Sequence, residues 1–317
     1  MAQAINLKPF RDFFRSEQIG GIILILSVLV SLSIANSPLG EDFSNLLSSK
    51  FGYSSAKVEL EYSIAQWIND GLMAIFFLLI GLEIKREIIE GELSSPRKAT
   101  MPIFAALGGM FIPAGIYFLL NAGQSTISGW GIPMATDIAF ALGILSLLGK
   151  RVPASLKVFL VALAIVDDLG AILVIAIFYT SELHWMELIY SAGIMAILIS
   201  MNYFGVKKLL FYIIPGIFLW YFIHHSGIHA TIAGVLLALT IPSNLIKRAS
   251  PLEHLEHIIV RPVNFLIMPI FALANTNIRF ENEMLNGLSS PLGLGIIFGL
   301  TIGKPLGVTL FSWIAVK

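Results

Sequence analysis

The 317-residue chain contains no cysteine, which excludes a disulfide framework and any thiol chemistry. Charge is scarce: Asp, Glu, Lys and Arg supply only 13% of the residues, about half the share usual in a soluble domain. Net charge is missing altogether, because 20 basic residues balance 20 acidic ones. The sum therefore carries no footprint for nucleic acid or an acidic partner, and the information lies in where the charges fall. What fills the chain instead is apolar, at 56% hydrophobic residues. This composition predicts an all-α polytopic membrane protein, read as a single domain over residues 1–317.

A span needs roughly 20 mostly apolar residues, fewer where a helix is short or broken. Ten stretches qualify: 19–35, 64–82, 101–120, 127–148, 154–179, 185–202, 209–222, 228–241, 258–274 and 292–316. Basic flanks at Lys8, Arg11 and Arg15 and the small residues at Ser33-Ile34-Ala35 give the first a trace of a signal peptide. Phe10, Phe13 and Phe14 interleaved with those cations point rather to a short amphipathic surface helix within residues 1–17, ahead of a spanning part at 18–317.

Loop charges set the orientation. With a cytoplasmic N-terminus, that side receives Lys8, Arg11, Arg15, Lys85, Arg86, Arg97, Lys98, Lys150, Arg151, Lys157, Lys207, Lys208, Lys247, Arg248, Arg261 and Lys317, sixteen in all, against Lys50, Lys57 and Arg279 outside. Such a bias follows the positive-inside rule and supports an even number of ten spans. Lys304, the twentieth cation, belongs to neither side.

The charges left inside are the informative ones. Asp167 and Asp168 stand mid-way along "LAIVDDLGAILVIAIF", Asp137 ten residues into the fourth stretch, and Lys304 twelve into the tenth. Each would cost about 2.5–3.5 kcal/mol if left alone in lipid, so they are expected to face one another or a watery cavity. A structural ion pair accounts for one acid and one base. Three acids against one lysine leave two negative charges for protons or a metal cation to neutralise.

Sodium and lithium are hard cations that take oxygen ligands. Carboxylates at 137, 167 and 168 with the hydroxyl of Thr136 offer such a set. Like charges in apolar surroundings also favour the protonated acid, so protons and cations compete for the same oxygens. Adjacent residues on a helix project about 100° apart, so Asp167 and Asp168 have different partners. One is expected to face Lys304 and the other the cation, and the residues alone do not choose which.

The stretch "SGWGIPMATDIAF" places Gly129, Gly131 and Pro133 beside Asp137, predicting a broken helix of the kind that marks ion sites in transporters; a proline kink in a packed helix is the plainer alternative. Glycines at 295, 299, 303 and 307 predict one smooth face on the tenth helix, against which another backbone packs closely. An intramembrane aspartyl protease would need two facing carboxylates sharing a proton. Neighbours on one helix do not supply that geometry, and neither a Tyr-Asp nor a Gly-x-Gly-Asp motif is present.

The motifs "MATDIAFALGIL", "LAIVDDLGAI", "SGIHATIAGV", "GLEIKREIIEGEL" and "IGKPLGVTLF" together resemble the NhaA family of sodium/proton antiporters, from the first segment to the last residue. The resemblance implies electrogenic exchange of cytoplasmic sodium or lithium for external protons across a bacterial inner membrane, with no cofactor. It implies that Asp168 and Asp167 carry cation and proton, that Asp137 and Thr136 belong to the broken helix, and that Lys304 partners Asp167. It further implies pH regulation at the cytoplasmic mouth, where the matching residues are Glu83, Arg86, Glu87, Glu256 and His257; ordinary surface salt bridges are the alternative reading of these. His254 departs from the arginine many relatives carry. His229 reads as a packed or pore-lining residue, having no companion at ligand spacing.

Family members dimerise through an external β-hairpin, and "KVELEYS" alternates Val58, Leu60 and Tyr62 with Glu59 and Glu61, a short strand pattern. The family also has twelve segments, with three to five and ten to twelve forming an inverted repeat. This chain ends after the tenth, so the repeat is expected to be incomplete. A transport-inactive, shortened homologue is therefore the alternative to a working antiporter.

Overall fold

A computed structural model describes residues 8–55, 59–91, 93–134, 152–179, 183–244, 250–281 and 284–317. A helix, α1 (Lys8–Ala35), runs unbroken from the basic N-terminal stretch through the first apolar one. It turns by 111° into α2 (Gly40–Ser48). Two short strands, β1 (Lys50–Phe51) and β2 (Tyr62–Ser63), pair antiparallel, with Ser54 bridged to Glu59 beyond them. The strand pattern read from the sequence is thus present around Glu59 and Tyr62, while Val58 lies outside the described residues.

The second stretch starts with a capping box. Ser63 Oγ accepts from the Gln66 amide, and the Gln66 side chain accepts from the Ser63 amide. The helix then runs as α3 (Ile64–Gln66), a wide π turn (Trp67–Leu72) and α4 (Met73–Glu90). Next comes α5 (Pro96–Leu120), opened by proline at its first position, where no amide partner is lost. The remaining helices are α6 (Ala154–Phe178), α7 (Trp185–Tyr203), α8 (Leu210–His225), α9 (Ile232–Thr240), α10 (Pro251–Pro262), α11 (Met268–Asn275), α12 (Met284–Leu288), α13 (Pro291–Phe298) and α14 (Lys304–Val316). Further π turns join α10 to α11 (Val263–Ile267) and α13 to α14 (Gly299–Gly303).

Among the described residues, five helical stretches are long and apolar enough to cross a membrane: Pro96–Leu120, Val158–Phe178, Trp185–Tyr203, Pro251–Asn275 and Pro291–Val316. The first apolar stretch joins them if it is taken together with α2, from which it is sharply bent. Nine of the ten sequence stretches fall on helical segments. The fourth opens as a 3-10 helix (Ser125–Met134), and the rest of it lies outside the described residues.

Packing divides the helices into two groups. In one, α4, α7, α8, α9 and α10 share a core built on Leu82, Leu198, Tyr212, Leu219 and Ala238, all fully buried. Small residues set its spacing: a β-carbon on Gly234 would collide with the Ala74 carbonyl of α4. In the other, α5 packs against α6, α13, α14 and the 3-10 helix, with Ala106, Met110 and Met134 inside. Ile80 and Ile84 of α4 meet Ile165 and Ile172 of α6, joining the groups. This join brings α6 alongside the start of α14.

Candidate functional site

Asp167 is 4% exposed, buried on the face of α6 turned toward α14. Lys304, the first residue of α14, extends to it with Nζ 2.7 Å from Asp167 Oδ2. The same ammonium donates to the main-chain carbonyl of Met134, the last residue of the 3-10 helix. One cation therefore ties together three segments: the sixth helix, the tenth apolar stretch and the opening half of the fourth. Burial makes the pairing consequential, since an ammonium and a carboxylate held away from water stabilise each other only when matched.

Which aspartate faces the lysine was open from the residues alone, and the structure selects Asp167. Asp168 is half-buried on the adjacent position of α6, rotated by the helical step of about 100°. Thr136 and Asp137 lie outside the described residues, following Met134 by two and three positions in sequence. Among the described residues no group of three or more His, Asp or Glu side chains is arranged to hold a metal ion, and the third predicted carboxylate is not among them.

The glycine face behaves as expected. Gly295, Gly299, Gly303 and Gly307 are all buried and lie against α5 and the 3-10 helix. A β-carbon on Gly307 would collide with the Gly108 carbonyl, and one on Gly108 with that of Gly307. One on Gly303 would stand 3.0 Å from Pro113 Cα, and one on Gly299 2.8 Å from Pro133 Cβ. Close approach of two backbones is thus what seats Lys304 against the third and fourth segments.

Sequence reasoning missed the polar clamp on the 3-10 helix. Tyr117 Oη donates to the Thr126 carbonyl at 2.8 Å, and Tyr179 Oη donates to the Ser128 carbonyl at 2.6 Å while accepting from the Gly131 amide at 3.3 Å. Glycine at 129 and 131 gives the two hydroxyls room, since a β-carbon there would lie 2.5 Å from Tyr117 Oη or 3.0 Å from Tyr179 Oη. Gly129 and Gly131 are the sequence signal for this clamp, small residues that leave space for a neighbouring side chain.

At the other end of α4 stand the residues matched to pH regulation. Arg86 Nε donates to Glu256 Oε2 of α10 at 3.1 Å, with Arg86 38% and Glu256 15% exposed. Burial opposes the Arg86 charge, but Glu256, then Glu83 and Glu87, outweigh it and hold the guanidinium above its ordinary value. Glu87 is buried, with its carboxylate folded over Gly91, where a β-carbon would collide with it. Four of the five predicted residues therefore do gather. His257, one position beyond Glu256, is exposed, as is His254. Lys85 donates to the carbonyls of Leu239 and Ile241 at 2.7 and 2.5 Å, closing the end of α9; its burial lowers its pKa.

Near the opposite end, Tyr62 of β2 packs on His224 with ring centres 4.7 Å apart. Its hydroxyl donates to the Glu59 carbonyl at 2.8 Å and lies 3.1 Å from His225 Nε2. His224 Nδ1 is 3.8 Å from Asp70 Oδ2, and Trp220 Nε1 donates to the Asp70 carbonyl. The hairpin is thereby fastened to the end of α8 and the start of the second stretch.

Comparison with known proteins agrees with this arrangement. The family described as Na+/H+ antiporter 1 matches residues 11–317. Na(+)/H(+) antiporter NhaA 2 of Flavobacterium johnsoniae is 64% identical over 319 residues, covering 100% of this chain and 78% of its own length. Na(+)/H(+) antiporter NhaA of Vibrio campbellii is 52% identical, covering 97% of this chain and 77% of its own length, and that of Bordetella parapertussis 49%, covering 96% and 78%. A match of this extent, together with the buried lysine–aspartate pair, places the chain in the Na+/H+ antiporter 1 family, among the NhaA proteins.

Proposed function

We propose that the chain is a secondary active transporter exchanging cytoplasmic sodium or lithium for external protons across a bacterial inner membrane, with a cytoplasmic N-terminus, ten spans and no cofactor. The observation that carries this reading is the buried contact of Lys304 with Asp167 beside Asp168. Lys304 pairs with Asp167 inside the chain, and in this reading Asp168, at the adjacent position of the same helix, is the carboxylate that takes the cation. Thr136 and Asp137 are the further oxygen donors in this reading, and any shared protonation belongs to the cluster as a whole. Exchange follows when sodium and protons occupy the same oxygens by turns and the site opens alternately to the two sides.

The high identity to named antiporters supports transport over a transport-inactive homologue. The pairing of Asp167 with a lysine also speaks against a protease dyad, in which a second carboxyl must share its proton. Glu83, Arg86, Glu87, Glu256 and His257 form the pH-responsive mouth in this reading, and the hairpin at Tyr62 supplies a homodimer contact. Membrane lipid is the surrounding partner: a groove of about 950 Å³ between α4, α8, α9 and α10 is lined almost wholly by apolar side chains, with Trp67 and Trp220 toward one end.

The test is sodium- or lithium-induced collapse of a pH gradient in inverted membrane vesicles. Collapse with the unmodified chain and none with Asp168→Asn is the expected result. Undiminished exchange in Asp168→Asn would remove that residue from the site, and no collapse with well-inserted unmodified chain would overturn the antiport reading.

A further inference from the structure

The 3-10 helix ends in the carbonyl that Lys304 uses, so whatever fixes its depth also fixes the ammonium. Its far end is held by Asn121, the residue that caps α5 and is fully buried. Asn121 Oδ1 accepts from Thr126 Oγ1 at 2.7 Å, and Asn121 Nδ2 donates to the carbonyls of Tyr117 at 3.0 Å and Pro291 at 2.9 Å. Pro291 opens α13, which continues through the π turn into Lys304. A single buried amide therefore joins the end of α5, the start of the 3-10 helix and the start of the lysine-bearing helix. Gly295 lies directly beneath it, where a β-carbon would stand 2.7 Å from Asn121 Nδ2.

An amide suits this junction and its close relatives do not. Asparagine offers both an acceptor and two donor hydrogens. Aspartate loses the donors to Tyr117 and Pro291, leucine loses everything, and an unsatisfied buried group bears the full cost of desolvation. In the turn between α5 and the 3-10 helix, Gly123 adopts a left-handed φ of 78°, which glycine reaches without strain.

We infer that Asn121 is a positioning residue for the cation site: through Thr126 and Pro291 it sets the depth of the 3-10 helix relative to α13, and so holds the Met134 carbonyl within reach of Lys304. The inference rests on the antiport reading for its transport consequence but not for its geometric one. With the Met134 acceptor displaced, the ammonium paired with Asp167 beside the cation-binding Asp168 is held less firmly, so both sodium dependence and pH profile move.

Two measurements on the full chain test it. Because the chain has no cysteine, spin labels at Ser128→Cys and Ile297→Cys report the separation of the 3-10 helix from α13. Asn121→Ala and Thr126→Val are expected to broaden or shift that distance distribution, and Thr126→Ser, which keeps the hydroxyl, to preserve it. In vesicles, the first two variants are expected to change the apparent KM for sodium by about threefold to tenfold, the scale of one lost hydrogen bond, with a displaced pH profile and a smaller change in maximal rate. An unchanged distance in Asn121→Ala overturns the inference whether or not the chain transports. So does an altered distance with unaltered KM and pH profile in a transporting chain, or loss of protein yield with normal kinetics in what remains. Failure of the unmodified chain to transport, with the distances behaving as described, overturns the antiport reading and confines Asn121 to shaping the junction.

Discussion

Lys304 Nζ lies 2.7 Å from Asp167 Oδ2, and its only other hydrogen-bond acceptor among the described residues is the Met134 carbonyl. Lys304→Ala takes the ammonium away from a carboxylate that is 4% exposed, which destabilises the fold by about 3–5 kcal/mol. Lys304→Gln combined with Asp167→Asn removes both charges and recovers most of that loss. Thermal unfolding of the single and double variants in detergent checks the coupling.

Gly307→Val forces a side chain into the Gly108 carbonyl of α5. Overpacking of this kind costs at least about 1–3 kcal/mol, and folded protein is expected to fall in both amount and thermal midpoint. Gly115, on the same α5, has nothing within 4 Å of an added β-carbon. Gly115→Ala is accordingly neutral or stabilising by about 0.5–1 kcal/mol.

Tyr62 is pushed up to about 12 by burial, then by Tyr221, Glu59 and Asp70. A phenol whose folded value is raised from an ordinary 10.0 contributes stability fully present below pH 10, and this is lost as pH rises toward 12. The hydroxyl therefore keeps donating to Glu59 through the alkaline range. Difference titration of tyrosinate absorbance between the unmodified chain and Tyr62→Phe is expected to show this group ionising near pH 12 rather than near 10, with Trp67 fluorescence steady until it does.

Arg86→Gln breaks the contact with Glu256, yet the arginine is 38% exposed, so stability is expected to change by less than about 1 kcal/mol. The larger effect is on regulation. If the mouth responds to pH as proposed, the activation profile of sodium exchange shifts in this variant while the thermal midpoint barely moves.

Much of this was legible in the residues because lipid makes charge placement expensive. Asp167 and Lys304 had to meet something, and they meet each other; the motifs identified the family outright. Arg86 and Glu256 also come together from distant segments, a contact that no spacing in the residues foretells. The polar clamp was harder to see. Asn121, Thr126, Tyr117 and Tyr179 are ordinary residues near an interface, and only the path of the chain reveals that their hydrogen bonds converge on one short helix. Turns such as Trp67–Leu72 left no trace in apolar periodicity, since a π turn alters phase without altering composition. Nor does the pattern of apolar stretches foretell α2, which turns away from α1 through a sharp bend.

The glycine stripe depends on such a turn. Residues four apart drift around an α-helix of 3.6 residues per turn, so Gly295 and Gly307, three steps apart, would point about 120° away from each other on a straight one. The π turn at Gly299–Gly303 admits an extra residue and takes back about 100° of that drift. All four glycines consequently stay on the side facing α5, and Lys304, one position past the turn, inherits its bearing from the correction. The helix is in effect phased for its lysine: the direction of the charge is stored in a rotational offset laid down one turn before it.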